Sequence, residues 1–173
     1  MIYNPEIHHR RSIRLHGYDY TQPGAYFITL CTHDRECLFG DVFNENVLLN
    51  ELGQIVKRTW QWLGKQYGHI QLDAFIVMPN HLHGIIKINC CRGGLRSAPT
   101  ERRKPLGQLI GAFKTVSTKQ INQIRHTPGI PVWQRNYYEH IIRNENEMNR
   151  IREYVIHNSS TWETDRNNPE DMK

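Results

Sequence analysis

The chain has 173 residues, a hydrophobic fraction of 38% and no internal repeats, which suits one compact core of ordinary domain size. Lysine and arginine together number 22 against 17 for aspartate and glutamate, so the formal net charge is +5. A basic chain of this kind favours an acidic partner, and nucleic acid is the first candidate. The longest apolar runs, 74–78 and 82–88, are too short to cross a bilayer.

Two further features bear on the cellular compartment. The opening residues, Met-Ile-Tyr-Asn-Pro, lack the apolar segment of a secretory signal, so we expect a cytoplasmic protein with no membrane partner. The spacings among the 4 cysteines do not repeat the paired gap that marks a structural zinc site. We therefore expect free thiols at Cys31, Cys37, Cys90 and Cys91.

A basic arm is predicted over residues 1–24. Its histidine- and arginine-rich stretch has no amphipathic period and precedes the turn signal Gln22-Pro23-Gly24. A solvated tail is an equally good interpretation of the same composition.

Alternating strands and helices are predicted after this arm. β-branched and aromatic runs indicate strands, and apolar residues at helical spacing indicate helices. In chain order we predict a strand over 25–32, a helix over 45–67, strands over 70–78 and 81–89, a helix over 106–124, a strand over 137–143 and a helix from the cap Asn144 to about 157. Glu147, three residues after that cap, completes a capping box.

The order of these elements predicts an α+β fold. It suggests an antiparallel, ferredoxin-like sheet with packed helices and one extra helix at the end. A flexible basic loop is expected over 90–105, where glycine, arginine, serine and proline prevail. We divide the chain into the arm 1–24, a single domain over 25–158 and a frayed polar tail over 159–173.

Two histidines could hold a metal ion. Side chains alternate along a strand, so His81 and His83 should point to the same face, with Cβ atoms roughly 6–7 Å apart. Two imidazoles at that distance can bind one divalent ion. Two ordinary half-buried histidines would give the same pattern, so the triplet alone does not decide.

The last helix offers a tyrosine to the same face. Tyr154 lies on an apolar stripe and should face the sheet, and Asn158 follows four residues later on that helix face. If the helix crosses the strand with the histidines, the amide oxygen could be a third metal ligand, leaving open positions for a phosphate. A tyrosine on an apolar stripe is otherwise a core residue.

The chain resembles the single-tyrosine HUH transposases, which are IS200-like, and most closely the REP-associated tyrosine transposases. The resemblance extends over most of the chain and combines several segments. These are residues 11–20, 23–27, 77–84 (Val-Met-Pro-Asn-His-Leu-His-Gly), 111–115, 133–143 and 151–158. Relatives commonly follow the final asparagine with proline, whereas this chain continues with Ser159 and Ser160.

This resemblance implies an HUH endonuclease fold with a C-terminal tyrosine helix. It implies that His81, His83 and Asn158 bind Mg²⁺ or Mn²⁺ and that Tyr154 is the nucleophile. The implied activity is a metal-dependent transposase that cleaves and rejoins single-stranded DNA beside a hairpin through a 5′-phosphotyrosine. The hairpin would be a folded repetitive extragenic palindrome, and the enzyme would act as a monomer or homodimer.

Basic and aromatic side chains are candidates for the DNA contacts. Phosphate contacts are expected from Arg10, Arg11, Arg14, Arg102, Arg103, Lys104 and Lys114, each of which could instead be solvated surface. Exposed bases could stack on Tyr18, Tyr20 or Trp133, which could equally be core residues.

Three alternatives stay open. Tyr137 or Tyr138 could be the nucleophile with His140 as base, although His140 fits better as a structural residue that orients the site. A protein could keep the fold and bind hairpin DNA without cutting it. A metal-dependent hydrolase or phosphodiesterase would need a second histidine motif, or a carboxylate near a third histidine, and the sequence indicates neither.

Overall fold

A computed structural model describes residues 18–20, 22–89, 104–165 and 167–169. Strands and helices alternate in this part of the chain. In order they are β1 (Gly24–Cys31), a 3-10 helix (His33–Arg35), β2 (Gly40–Phe43), β3 (Asn46–Leu49), α1 (Glu51–Gln66), β4 (Ile70–Val77), β5 (His81–Ile88), α2 (Leu106–Arg125), β6 (Tyr138–Ile142), α3 (Glu145–Ile156) and a second 3-10 helix (Asn158–Thr164).

Four strands form one antiparallel sheet in the order β4-β5-β1-β6. Without the β2–β3 hairpin, this is the strand order of a ferredoxin-like split pattern. The predicted α+β fold class is therefore confirmed. The extra helix α3 follows β6, as the sequence predicts.

The two faces of the sheet have separate cores. Helices α1 and α2 cover one face, where Trp60 and Phe113 pack with Leu82 and Ile86 of β5. On the opposite face, Ile85 belongs to a smaller cluster of apolar residues that includes Met148 and Val155 of α3. Because strand side chains alternate, His81 and His83 share the face of Ile85 and lie on the side of α3.

The prediction of a helix over 45–67 is wrong in its first turn. The structure has a β2–β3 hairpin there, in which Asn44 and Glu45 adopt positive φ angles of 48° and 61°. This pair of left-handed residues forms the tight turn that suits antiparallel strands. Helix α1 begins only after Asn50, whose side-chain oxygen accepts a hydrogen bond from the N–H of Gly53 at 3.0 Å. The predicted helix began too early because the apolar residues of β3 fall at positions that match the helical spacing of α1.

The prediction of a frayed tail from residue 159 also differs from the structure. Residues Asn158–Thr164 form a 3-10 helix, and Asp165 after it is buried. The indole of Trp162 packs on His81 with ring centroids 5.9 Å apart, and Asn80 donates a hydrogen bond to the carbonyl of Asn167 at 2.7 Å. Specific polar contacts order this segment, which composition alone does not indicate.

Several predictions lie largely or wholly outside the described residues. The arginines of the arm and of the basic loop, together with Cys90 and Cys91, are in this group. Of the cysteines that the structure describes, Cys31 and Cys37 are not in a disulfide bond. In the described ranges, no helix combines the length and apolar content needed to cross a membrane.

Candidate functional site

Two buried histidines form the centre of the site. His81 and His83 lie at the start of β5 with exposed fractions of 0% and 2%, and their ring centroids are 4.5 Å apart. Across the sheet, Cys31 and Thr29 of β1 are their register partners. The alternation along β5 places both rings under the C-terminal part of the chain, as predicted.

Asn80 fixes the protonation of His81. The amide nitrogen of Asn80 donates to the carbonyls of Arg35 and Asn167, at 3.1 and 2.7 Å. The amide oxygen must therefore face Nδ1 of His81, 2.8 Å away. An amide oxygen only accepts, so His81 carries its proton on Nδ1 and keeps its free electron pair on Nε2. That is the form in which an imidazole binds a metal ion.

His83 is held from two sides. Its Nδ1 lies 2.8 Å from the hydroxyl of Thr29, and its Nε2 lies 3.3 Å from the hydroxyl of Tyr154. The ring of Phe27 stacks on the imidazole with centroids 5.4 Å apart. The hydroxyl oxygen of Thr29 can accept a hydrogen bond from Nδ1–H of His83, which leaves Nε2 of His83 as an acceptor.

Both histidines are neutral at physiological pH. Burial lowers the pKa of His81 to about 4, where Asp165 and the side chain of Asn158 act in the opposite direction and Arg35 lowers the pKa further. Burial also lowers the pKa of His83 well below its usual value, with a smaller effect from His81. A neutral imidazole can bind a metal ion without first losing a proton.

The candidate metal ligands include two unsatisfied atoms. Among the described residues, Nε2 of His81 and Oδ1 of Asn158 are buried without a hydrogen-bond partner. A buried acceptor left unpaired costs about 1–3 kcal/mol, so such atoms call for a partner. Asp165 adds a carboxylate, and its ligand atom and those of His81 and His83 all lie within 4.8 Å of one another. Two nitrogens with amide and carboxylate oxygens suit a divalent ion, so these residues fit the implied metal.

Tyr154 projects from α3 over the histidines. Its ring centroid lies 5.2 Å from that of His83 and 6.0 Å from that of Phe27, yet 47% of the residue is exposed. The tyrosine is thus open to solvent on one side and contacts His83 on the other. It is not a core residue, which the sequence left open.

An ion-pair network anchors α3 to the sheet. The guanidinium of Arg152 binds both carboxylate oxygens of Asp73 on β4, with distances of 2.9 and 2.8 Å. Lys87 of β5 adds a contact of 2.6 Å to the same carboxylate. Arg152 is the main reason that the pKa of Asp73 lies well below its usual range. The pair therefore holds α3, the helix that carries Tyr154, against β4.

The start of α3 is fixed by its cap and by His140. Asn144 accepts the N–H of Glu147 at 2.9 Å, as the capping box predicts. The carboxylate of Glu147 accepts from the N–H of Arg143 at 2.7 Å and lies 2.8 Å from Nε2 of His140. His140 thus braces the tyrosine helix through Glu147.

The predicted DNA-binding lysines have contacts within the protein. The ammonium group of Lys114 donates to three carbonyls, at 2.7 Å to Gln134, 3.5 Å to Arg135 and 3.0 Å to Asn136. Lys104 donates to the hydroxyl of Tyr67 at 3.2 Å. Lys114 thus holds the segment before β6 in place, and its phosphate contact stays a prediction.

The predicted aromatic contacts are divided between core and site. Trp133 is buried, with its indole N–H bonded to Ser117 at 2.9 Å. Tyr18 and Tyr20 pack at the edge of the larger core. Tyr138 is half exposed, and its ring lies 6.2 Å from that of Phe27, which also contacts Tyr154. Tyr138 is therefore near the site, but the hydroxyl that meets His83 is that of Tyr154.

Sequence reasoning missed three contributors to the site. Asn80 lies between two predicted strands and Asp165 in the predicted tail, neither with a predicted role, and the pairing of Arg152 with Asp73 joins residues 79 positions apart. A signal existed for the tail, because Trp162 is an aromatic residue in an otherwise polar stretch. No such signal marks the other two, since both depend on the folded sheet.

Comparisons with known proteins support the fold. No family model matches the chain. A protein of Haemophilus influenzae, described as an uncharacterized protein, is 41% identical to this chain over an alignment of 173 positions. The alignment covers 94% of this chain and 95% of that protein. The solved structure of a REP-associated tyrosine transposase bound to a REP hairpin has a TM-score of 0.58 and 18% identity, covering 86% of this chain and 74% of that chain. At this identity the likeness to the solved structure shows a shared fold.

Proposed function

We propose that this chain, which belongs to the same family as the Haemophilus influenzae protein and shares the fold of the hairpin-bound transposase, cleaves and rejoins single-stranded DNA. Tyr154 is the proposed nucleophile. The observation that carries the proposal is its hydroxyl, 3.3 Å from Nε2 of His83, a buried neutral histidine whose ring lies 4.5 Å from that of His81 with its unsatisfied Nε2. A tyrosine with only a packing role has no need of such neighbours.

A divalent ion, Mg²⁺ or Mn²⁺, would be held by His81, His83 and Asn158. Such an ion polarises a phosphate oxygen and stabilises the charge that develops during phosphoryl transfer. The fixed tautomer of His81 and the neutral state of both rings prepare the nitrogen ligands. The electron pair on Nε2 of His83 cannot hold a proton and an ion together, so His83 is assigned to the ion rather than to a general base.

The step exchanges one phosphoester for another. The phenol oxygen of Tyr154 attacks phosphorus and its proton passes to solvent, while the O3′ of the preceding nucleotide leaves with the bonding electron pair and takes up a proton from solvent. A tyrosine hydroxyl has a pKa of about 10, so positive charge beside it is needed for attack near neutral pH. The products are a 5′-phosphotyrosine and a free 3′ hydroxyl. Attack by a second 3′ hydroxyl on the same phosphorus reverses the step and rejoins DNA.

Single-stranded DNA beside a hairpin is the proposed substrate. Tyr154 is exposed on one side, so a strand can approach it from solvent, whereas both histidines are buried behind it. The chain has a net charge of +5, which favours a polyanion. The solved structure of similar fold was determined with a REP hairpin bound. The basic arm and loop remain candidate phosphate contacts.

A covalent adduct tests this proposal. The protein is incubated with Mn²⁺ and an oligonucleotide that carries a hairpin and a single-stranded flank, then denatured and run on a gel. A label at the 3′ end should migrate with the protein, whereas a label at the 5′ end should leave with the released fragment. Both products should be absent in Tyr154→Phe and retained in Tyr138→Phe.

Two outcomes of this experiment would contradict the proposal. Binding that survives in Tyr154→Phe, with no adduct in the wild-type protein under any divalent metal, would indicate a hairpin-binding protein without nuclease activity. An adduct that persists in Tyr154→Phe and disappears in Tyr138→Phe would assign the nucleophile to β6.

A further inference from the structure

Asp165 lies within the candidate metal site although it is outside every motif that the sequence singled out. Its carboxylate and the ring nitrogens of His81 and His83 lie within 4.8 Å of one another. The residue is buried, with an exposed fraction of 8%. We propose that Asp165 is a further ligand of the divalent ion, so the centre combines two imidazoles, an amide oxygen and a carboxylate. This inference rests on the metal centre of the proposed function.

The carboxylate of Asp165 is held in place by two donors. Its Oδ1 accepts the N–H of Asn167 at 2.7 Å, and its Oδ2 accepts the side-chain amide of Asn158 at 3.2 Å. Each carboxylate oxygen can accept more than one bond, so capacity remains for an ion. Because the amide nitrogen of Asn158 faces Asp165, its Oδ1 is the atom left buried without a partner. Asp165 therefore also orients the amide oxygen of Asn158.

Several contacts hold the segment that carries Asp165 against the start of β5. Trp162 packs on the ring of His81, and its carbonyl accepts the side-chain amide of Asn168 at 3.1 Å. Asn80, which fixes the tautomer of His81, also donates to the carbonyl of Asn167 at 2.7 Å. The carboxylate is thus positioned by the same contacts that prepare His81.

Charge balance calls for an anion at this position. Two neutral imidazoles and an amide bring no negative charge to a divalent ion, and a buried charge without compensation is costly. Arg35, the other charged group with an electrostatic effect on His81, is positive. Asp165 is the acidic member of the group formed with the two histidines. Its single negative charge offsets half of that of the ion and leaves a net charge to attract a phosphate.

Mn²⁺ binding without DNA tests the assignment. Free Mn²⁺ is measured by electron paramagnetic resonance during titration of the full chain, with isothermal calorimetry as a second measurement. Asp165→Asn keeps the shape and the hydrogen-bond acceptor but removes the charge. Glu163→Gln is the matched control, because it makes the same charge change at an exposed residue of the same segment. Asp165→Glu keeps a carboxylate but displaces it.

We expect wild type and Glu163→Gln to bind Mn²⁺ equally, Asp165→Glu to bind several-fold more weakly, and Asp165→Asn to bind roughly 10–100-fold more weakly. If Asp165→Asn does not fold, as judged by circular dichroism, the comparison of Asp165→Glu with Glu163→Gln decides. Wild-type affinity in every folded Asp165 variant, with binding lost in His81→Ala, would overturn the carboxylate ligand alone. Wild-type affinity in His81→Ala as well would overturn the metal centre itself.

Discussion

The hydroxyl of Tyr154 lies 3.3 Å from Nε2 of His83, although 70 residues separate the two in the chain. The contact joins an exposed helix residue to a buried strand residue. It depends on how α3 is docked, on the protonation of the histidines and on the close packing beneath them. Each of these dependences gives a prediction.

Protein stability should decrease in mild acid because the buried histidines stay neutral. The folded-state pKa of His81 is lowered to about 4, whereas the unfolded chain takes up this proton near pH 6.5. The contribution to stability is complete above about 6.5 and is lost as pH falls toward 4, by about 3 kcal/mol for His81 alone. Urea unfolding across this range measures the loss. His81→Gln, which cannot titrate, should show a shallower dependence, and equal slopes would contradict the lowered pKa.

Asn80→Ala should weaken Mn²⁺ binding by roughly 10–100-fold, since loss of the partner that orients a metal-binding histidine has effects of this size. The variant removes the acceptor that keeps the proton of His81 on Nδ1 and the donor that holds Asn167. Asn89→Ala, at an exposed position just after β5, is the control and should bind as the wild type does. Calorimetry on both variants decides, and equal affinities would show that Asn80 has no influence on the ligands.

Arg152→Ala should slow adduct formation by roughly tenfold or more, because small displacements of a reacting group cost rate steeply. The variant removes both bonds that tie α3 to Asp73. Hairpin DNA binding should change little. The effect should therefore appear in the rate at saturating DNA rather than in the DNA concentration that gives half of this rate. Arg152→Lys should restore part of the rate.

Arg150→Ala makes the same charge change on an exposed residue of α3 and serves as the control. If both alanine variants slow the reaction equally, general loss of positive charge would explain the effect and the anchoring role of Arg152 would be rejected.

Gly84→Ala should destabilise the fold by about 1–3 kcal/mol, the usual cost of overpacking a core. A Cβ at Gly84 would lie 2.5 Å from a ring carbon of Trp60, which packs on the opposite face from the histidines. Gly111→Ala, where nothing lies within 4 Å of the added carbon, should instead stabilise α2 by about 0.5–1 kcal/mol. Thermal unfolding of both variants tests the pair, and unchanged stability in Gly84→Ala would show that α1 moves away freely.

Much of this site follows from local patterns in the sequence. Alternation along β5 places His81 and His83 on one face, and the apolar stripe of α3 brings Tyr154 toward the sheet. Strand order also follows, because the sequence of strands and helices leaves few antiparallel arrangements. The side-chain faces of β5 and α3 depend only on the periodicity within one strand or one helix.

Two of the parts that the sequence did not reveal depend on contacts between distant segments, and a third depends on an ambiguous local pattern. Asp165 reaches the histidines only because Trp162 packs on His81, and neither residue belongs to a periodic element. From the sequence alone, Arg152 and Asp73 could each be solvated charges, because their pairing requires β4 and α3 to be adjacent in the fold. The β2–β3 hairpin was missed because its apolar residues share the spacing of the helix that follows. Tertiary contacts outweigh local pattern for Asp165 and for the pair of Arg152 with Asp73, whereas the hairpin is a local element whose pattern is ambiguous.

Mass spectrometry of the covalent product tests the role of Tyr154 most directly. After reaction with hairpin DNA and Mn²⁺, nuclease treatment leaves a short nucleotide remnant on the protein, and trypsin separates the candidate tyrosines. Tyr154 lies in the peptide 153–166, whereas Tyr137 and Tyr138 lie in the peptide 136–143. We predict a remnant on Tyr154 alone. A remnant on the 136–143 peptide, or an unmodified 153–166 peptide in protein that has cleaved the DNA, would contradict this assignment.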